Sequence, residues 1–420
     1  GMWMGSLSPS PIHEPALPEK TGLQDLFVLG MTSPFLSSTD AEELWQKFDL
    51  PYRPAMLINH GCNLMMSIAN KETVAEALKK YEFIVSFDLL LTETSDFVDI
   101  VLPDCDYLES VDSRSNFPFI FSLPGGMGEW CWPIRQPVVE PDGEQRRFAD
   151  VLADLAERAG FGPDYNAALN AGLDLQPPYR LAPDRKYRSE EVCDAELKSK
   201  FGDERGYEWF KEHGLIKWPK KPQEVYWRHF EPVRVPIYWE WMPTVRDKMN
   251  AITEPRGITM PEEYYRPLPD WLPCASHTCK TDGFDLTAFY YRDSIHTNSY
   301  TMENPWLDEA ARLDPYSYAI AINAKTGRAK GLTDGQPIAL ETETGRRVTG
   351  RVRLTEAIHP EGVGIAALCG HWSDGMPVAK GKGVFFNDLL ELNWDRCSPA
   401  NINLDLCVRV RVGPAEKTSS

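Results

Sequence analysis

The sequence predicts an α/β protein in which a parallel-sheet region is followed by a β-rich region that closes into a barrel. Short apolar strands alternate with helical patterns over residues 1–160, which is typical of parallel strands joined by crossover helices. Residues 161–270 are rich in proline and aromatic side chains, and residues 271–420 contain strands separated by glycine turns. A barrel is the expected closure for the last region, because it removes exposed strand edges. We therefore expect three regions with these bounds.

The elements of the first region can be predicted one by one. Its strands are predicted at DLFVLG, PAMLINHG, EFIVSFDLLL and DIVLPDC, and its helices at NKETVAEALKKY and RRFADVLADLAERAG. The middle region has helical pieces between proline breaks, and we interpret it as a connector or insertion that packs on neighbouring units. In the last region, β-rich stretches are predicted at YAIAIN, TDGQPIALETETGRRVTGRVRLT, GVGIAAL and LCVRVRV, with turn signals between strands at residues 334–335 and 344–345.

Composition limits the classes of function. The chain has 420 residues, 42% of them apolar and 11% aromatic, and a formal net charge of −18. An acidic chain of this kind does not favour nucleic acid or anionic membrane surfaces, which attract basic faces. No apolar run is long enough to insert into a membrane, and no export signal is evident near residue 1. We therefore expect a cytoplasmic protein; the alternative is export as a complex with a partner that carries the signal.

The nine cysteines contain no C-x-x-C pair, which argues against an iron–sulfur cluster or zinc ribbon built from this chain alone. The closest grouping is PCASHTCK, in which Cys274, His277 and Cys279 would need a fourth ligand to complete a tetrahedral metal site. We interpret the cysteines as buried, reduced thiols, and no metal ligand is assigned.

One segment and the C-terminal region resemble a known family. The string EFIVSFDLLLTETSDFVDIVLPDCDYLES is similar to a hallmark segment of the dimethyl sulfoxide reductase family of molybdopterin enzymes. Three C-terminal strings resemble that family's dinucleotide-binding domain in the same order: FYYRDSIHTNSYTMENPWLDE, AIAINAKTGRAKGLTDGQPIALETETGRRVTGRVRLTEAIHPEGV and FFNDLLELNWDRCSPANINL. The resemblance implies a partial Rossmann-like parallel sheet followed by a six-stranded double-psi-type β-barrel. It also implies a molybdopterin guanine dinucleotide cofactor carrying molybdenum or tungsten.

Polar residues of the first region are candidate cofactor ligands. Asp88 closes a predicted parallel strand, and such sheets bind ligands outside the carboxyl ends of their strands. Its carboxylate can accept two hydrogen bonds from a guanine edge or a ribose diol, although an aspartate here can also cap a turn. The other candidates are Gly61 and Asn63 in the preceding loop, and Glu93, Thr94 and Asp99, which either order the loop around the cofactor or are structural.

Two C-terminal clusters complete the set implied by the resemblance. A strand-to-loop transition suited to pyrophosphate and pterin contains Arg292, His296, Thr297, Asn298 and Ser299. Contacts to a second dinucleotide are expected from Gly370, His371, Trp372 and Asn387, with Asn401 and Asn403 as weaker candidates. No catalytic residue is assigned.

No stretch resembles the family's region that binds an iron–sulfur cluster or the side chain that binds the metal. We therefore expect a cofactor-binding half of a molybdenum or tungsten oxidoreductase that is inactive alone and whose partner polypeptide supplies those parts. We also expect an electron-transfer subunit as a further partner. The alternatives are a non-catalytic nucleotide- or protein-binding remnant and a redox-neutral enzyme of the hydratase or transhydroxylase type. A further alternative, an unrelated two-domain α/β enzyme acting on its own, needs a nucleophile and a base in one cleft, and the motifs G-x-S-x-G, G-x-x-x-x-G-K and H-E-x-x-H are all absent.

Overall fold

The computed structural model describes residues 55–112, 129–219, 238–257, 259–268, 270–391 and 406–415. These residues form two compact units. The first unit comprises residues 102–112 and 129–219, and the second comprises residues 55–101 and the described residues from 238 onward. The proline-rich region is thus shared between the units, and its predicted bounds stay a prediction. The predicted strand DLFVLG and the candidates Asn401 and Asn403 lie outside the described residues.

A three-stranded sheet positions the first group of candidate residues. Its strands, in spatial order, are β1 (Met56–His60), β2 (Phe83–Asp88) and β3 (Ile100–Pro103). β1 and β2 run parallel, with Met56 opposite Phe83. Every residue of β2 after Phe83 is buried, as expected for a parallel strand covered on both faces. The predicted strands at these positions are confirmed.

The crossover between β1 and β2 contains two helices, α1 (Leu64–Ser67) and α2 (Lys71–Leu78). Asn70 caps α2, because its side-chain oxygen accepts a hydrogen bond from the Thr73 backbone N–H at 3.2 Å. Val74 and Leu78 are fully buried and lie one turn apart, so α2 presents an apolar stripe to the core. The loop after β2 then enters a 3₁₀ helix, Glu93–Phe97.

The first unit combines a two-stranded antiparallel ribbon with four helices. The ribbon pairs β4 (Glu129–Pro133) with β5 (Leu215–Pro219). The helices are α3 (Phe148–Ala159), α4 (Gly162–Gly172), α5 (Ser189–Phe201) and α6 (Tyr207–His213). Its small core is built on Cys193, Leu197 and Phe210, with Trp132 and Ile216 of the ribbon packed against them. The predicted helix at 146–160 is confirmed, as are helical pieces in the proline-rich region.

Six strands of the second unit close into a barrel with the order β10-β6-β11-β8-β9-β7. They are β6 (Leu286–Tyr291), β7 (Ile320–Asn323), β8 (Pro337–Thr342), β9 (Arg347–Thr355), β10 (Gly362–Ala366) and β11 (Cys407–Pro414). β6–β10 and β7–β9 are parallel pairs, and the other pairs are antiparallel. Gly345 adopts φ of +85° in the β8–β9 turn, where a side chain would be strained. The predicted six-stranded barrel is confirmed.

One hydrophobic core joins the barrel to the β1–β3 segment. Ile320 and Val363 of the barrel belong to the same buried cluster as Leu64, Val74 and Ile84. The shared core places the loop after β2 against loops of the barrel.

The remaining helices of this unit are α7 (Met242–Thr253), α8 (Ala275–Thr278), α9 (Pro305–Ala311) and α10 (Ala324–Ala329). None of the helices in the described part of the chain has the length and apolar character to cross a membrane.

Candidate cofactor-binding site

Asp88 ends β2 with its carboxylate buried and half satisfied. Its Oδ1 accepts hydrogen bonds from the Leu89 backbone N–H and from the Tyr300 hydroxyl, both at 2.8 Å. Its Oδ2 is buried and has no hydrogen-bond partner among the described residues. Because Tyr300 lies in the segment that follows β6, this contact brings the polar barrel loop to the carboxyl end of the parallel sheet. Asp88 is therefore both a cap for its own turn and a carboxylate with one oxygen available to a ligand.

Glu93 anchors the other end of the same loop. Its side chain is completely buried. Oε1 accepts the Trp372 and Ser373 backbone N–H groups at 2.8 and 3.0 Å, and the His371 ring Nδ1 lies 3.0 Å from it. Oε2 accepts the Asn63 amide at 2.6 Å. One carboxylate thus ties the β1–α1 loop and a barrel loop to the segment after β2.

The electrostatics of Glu93 follow from these contacts. Burial alone would raise its pKa, but the hydrogen bond and charge of His371, with the N–H of Ser373 and the amide of Asn63, outweigh burial and lower the pKa to about 2. Glu93 is therefore ionised across the physiological range, and the His371 Nδ1 is the donor in this pair.

His371 and Thr92 add two more buried polar atoms without partners. His371 is almost fully buried, and its Nε2 has no hydrogen-bond partner among the described residues. The hydroxyl of Thr92, one residue before Glu93, also lacks a partner within the described part of the chain. Together with Asp88 Oδ2, these atoms belong to the segment 88–93 or to the histidine bound to it. Unpaired buried polar atoms cost about 1–3 kcal/mol each, so a local group of them is typical of a ligand site.

Backbone packing fixes this segment further. The Ser373 hydroxyl donates to the Leu91 carbonyl at 2.7 Å. Gly375 lies so close that a Cβ there would be 2.3 Å from the Leu91 oxygen. The sequence does not predict a role for either residue, because no local pattern indicates that residues 373–375 contact residue 91.

The side chains of several predicted cofactor ligands form hydrogen bonds with other groups of the protein. The Asn63 side chain donates to Glu93 and accepts from the Thr94 hydroxyl at 3.0 Å, so both residues serve the Glu93 network. Asp99 accepts the Ile84 backbone N–H at 2.7 Å, which supports the structural interpretation of this residue. The Asn387 amide donates to the Met66 carbonyl at 2.9 Å.

The backbone conformation explains why glycine occupies both predicted glycine positions. Gly61 adopts φ of +58° directly after β1, and a Cβ there would lie 3.7 Å from the Tyr300 hydroxyl. Gly370 adopts φ of +87°, and a Cβ there would be 2.3 Å from the Phe385 nitrogen. Both positions disfavour a side chain and bring backbone close to neighbouring loops. Trp372, two residues after Gly370, packs its ring on Phe385 at 5.6 Å.

In the loop after β6, Arg292 is exposed and donates to the Thr297 carbonyl. Thr297 and Asn298 are exposed and Ser299 is half-buried; the Asn298 side chain accepts the Tyr300 N–H at 2.8 Å and caps the following 3₁₀ turn. His296 points inward instead.

The inward histidine belongs to a network that the sequence did not indicate. His296 is completely buried, with its ring nitrogens 3.1 Å from the Thr301 carbonyl and 2.9 Å from the Tyr318 hydroxyl. Tyr318 donates to Asp308, which forms an ion pair with Lys382 at 2.5 Å. Burial and the Asp308 hydrogen bond raise the pKa of Tyr318. His296 therefore supports the loop from within.

Comparison with known proteins shows which family part of the chain resembles. Residues 15–158 match the family model described as molybdopterin oxidoreductase. This part of the chain therefore contains a molybdopterin oxidoreductase domain by similarity. The match includes β1, β2, β3 and the loop that contains Asp88 and Glu93.

Alignments with two curated relatives show how much of their length this chain covers. The chain is 26% identical over 326 residues to a sulfite dehydrogenase subunit of Allochromatium vinosum, an alignment that covers 67% of this chain and 32% of that protein. It is 24% identical over 351 residues to the thiosulfate reductase molybdopterin-containing subunit of Salmonella typhimurium, which covers 81% of this chain and 41% of that protein. The chain thus spans less than half the length of these relatives.

A solved structure shows a similar fold. Acetylene hydratase from Pelobacter acetylenicus aligns with a TM-score of 0.61 and 18% identity, covering 91% of this chain and 46% of that chain. The likeness confirms the predicted fold class of a parallel-sheet segment followed by a six-stranded barrel.

Proposed function

We propose that this chain binds a molybdopterin guanine dinucleotide at the carboxyl end of the β1–β3 sheet, as the cofactor-binding part of a molybdenum or tungsten oxidoreductase. The observation that carries the proposal is the buried Oδ2 of Asp88, which has no partner among the described residues; Thr92 Oγ1, four residues later, and Nε2 of His371, which is bound to Glu93, are of the same kind. A guanine presents two adjacent N–H donors, and a single carboxylate oxygen such as Oδ2 has lone pairs to accept from one or both of them. Open sheets of parallel strands bind nucleotides at this end.

The residues fit such a ligand in donor and acceptor type. Asp88 supplies an acceptor for the base, and the exposed Arg292 supplies a guanidinium for a phosphate. Thr92 supplies a buried hydroxyl in the same segment as Asp88, His371 supplies a buried ring nitrogen from the barrel loop, and Glu93 keeps His371 oriented. When bound, the cofactor supplies a pterin-held metal for electron or oxygen transfer. This chain's own part is to bind and orient its dinucleotide tail.

The proposal also includes a further polypeptide region. The chain spans less than half of its relatives, and the β1–β3 sheet exposes apolar side chains: Met56 and Ile58 are 49% and 48% exposed, and Ile100 is 44% exposed. Side chains of this kind on a parallel sheet favour a partner surface. We expect that region to supply the iron–sulfur cluster and the metal ligand, and we expect an electron-transfer protein to be an additional partner. Without that region, the chain is expected to be inactive.

Calorimetric titration with guanosine and adenosine diphosphate tests the site. The parent chain should bind the guanine nucleotide more tightly, and Asp88→Asn should weaken that binding by roughly 2–4 kcal/mol with an unchanged melting temperature. Asp96→Asn is the matched control, because Asp96 is an exposed carboxylate on the adjoining 3₁₀ helix. Equal affinity for both nucleotides, or for parent and Asp88→Asn, would leave a non-catalytic remnant as the better account.

A further inference from the structure

Two cysteines far apart in sequence lie next to each other beside the barrel. Cys274 precedes α8 and Cys407 begins β11, 133 residues later, and their sulfur atoms are 3.9 Å apart. Both are reduced thiols and both are partly exposed. A disulfide requires sulfurs about 2.05 Å apart, so a side-chain movement of about 2 Å would bring them to bonding distance.

A histidine is placed to activate one of these thiols. The His277 ring Nδ1 lies 3.0 Å from the Cys274 sulfur, and the Trp271 ring packs edge-on against the same imidazole. Imidazole at this distance can take the thiol proton, and the thiolate is the reactive form of cysteine.

Local contacts keep the pair together. The Ser276 hydroxyl donates to the Cys407 carbonyl at 2.6 Å, which ties α8 to the start of β11. Cys407 also lines a cavity of about 20 Å³, which is enough space for one water-sized molecule. Cys279, in contrast, donates to Glu343 at 2.8 Å and does not join the pair.

We propose that Cys274 and Cys407 form a reversible disulfide, with His277 as the base, and that peroxide closes it. This site is independent of the cofactor site. In the first step the Cys274 thiolate attacks one oxygen of hydrogen peroxide, the O–O bond breaks, and hydroxide leaves and takes the proton from His277 to become water. In the second step the Cys407 sulfur attacks the resulting sulfenic acid, the S–O bond breaks, and the oxygen leaves as water with the Cys407 proton. The two thiols lose two electrons and two protons, and the peroxide is reduced to two waters.

The bond would restrain the barrel. Cys407 lies on a strand that pairs with both β6 and β8, and the link to residue 274 closes a loop that contains most of the barrel. Long closed loops restrict the unfolded chain most, so oxidation should raise the melting temperature by about 5–10 °C. Reduction by a dithiol should reverse the shift.

Peptide mapping of the full chain tests the proposal. After treatment with a small excess of hydrogen peroxide and blocking of remaining thiols, digestion without reductant should yield a peptide pair linked through residues 274 and 407. Cys407→Ser should abolish both the linked pair and the thermal shift, whereas Cys279→Ser, the matched control, should keep both. His277→Gln should slow formation of the link by about tenfold or more without changing its final yield.

The outcomes separate clearly. A link between residues 274 and 279, or oxidised thiols without a 274–407 link in the parent chain, would overturn the proposal. An unchanged rate in His277→Gln would overturn the role of the histidine as base. Peptide mapping of the parent chain tests the link even if a variant fails to fold.

Discussion

Replacing Glu93 by glutamine tests the network that orders the segment after β2. The substitution keeps the size of the side chain but changes one acceptor oxygen into a donor. Oε1 receives the Trp372 and Ser373 N–H groups and Oε2 receives the Asn63 amide, so the new NH₂ group must face a donor on one side. We expect the barrel loop to lose part of its attachment to the sheet.

The magnitude follows from the pKa of Glu93. A carboxyl with an ordinary value of 4.5 that is lowered to about 2 contributes about 3 kcal/mol to the free energy of unfolding. Because the folded pKa is the lower one, this contribution is complete above about pH 5 and is lost as pH falls towards 2. Near pH 3 less than half of it should remain. Glu93→Gln should therefore destabilise the chain by about 3 kcal/mol at pH 7 and by less than half as much near pH 3.

Urea unfolding followed by circular dichroism at both pH values measures this difference. Glu76→Gln is the control, since Glu76 forms an exposed pair with Lys79 and its loss should leave the urea midpoint unchanged. A Glu93→Gln midpoint equal to that of the parent at pH 7, or a pH-independent loss, would refute the assignment of Glu93 as the ionised anchor.

Three further predictions concern phosphate, packing and assembly. Arg292→Lys keeps the charge but loses the planar fork, and it should weaken guanosine diphosphate binding by about tenfold in calorimetry; an unchanged affinity would remove Arg292 from the phosphate site. Gly375→Ala forces a Cβ against the Leu91 carbonyl and should lower stability by about 1–3 kcal/mol in urea titration, whereas Gly172→Ala, with open space around it, should not. The chain purified alone should be folded, metal-free and self-associating in light scattering, and a complex with the proposed partner region should bury more than about 2,000 Å²; a monodisperse monomer with stoichiometric molybdenum or tungsten would contradict this.

The fold could be predicted because its signals are local. The run FIVSFD carries the largely apolar character of a strand buried on both faces, and β2 occupies those residues. Glycines at positions such as 345 mark the turns between barrel strands, and closure into a barrel leaves no strand edge exposed.

The site was only partly predictable, because its contacts join distant parts of the chain. Asp88 could be placed from its position at a strand end, but its partner Tyr300 is 212 residues away. Glu93 and His371 were both candidates, yet their contact across 278 residues has no local signature. His296 shows the limit most clearly, since its place in a polar cluster after β6 predicts a cofactor contact, whereas its burial against Tyr318 could not be foreseen from the sequence. Whether an amide or imidazole serves a ligand or the protein depends on these long-range partners.

Acid release of nucleotides from the assembled complex tests the central claim most directly. The chain would be co-expressed with the proposed partner region in a host that makes pterin dinucleotides. The purified complex would then be hydrolysed and the released nucleotides analysed by chromatography. We predict guanosine monophosphate in stoichiometric ratio to molybdenum or tungsten, and its loss in the Asp88→Asn complex at equal assembly. A complex that contains no guanosine monophosphate, or that retains it fully in Asp88→Asn, would contradict recognition of the dinucleotide by Asp88.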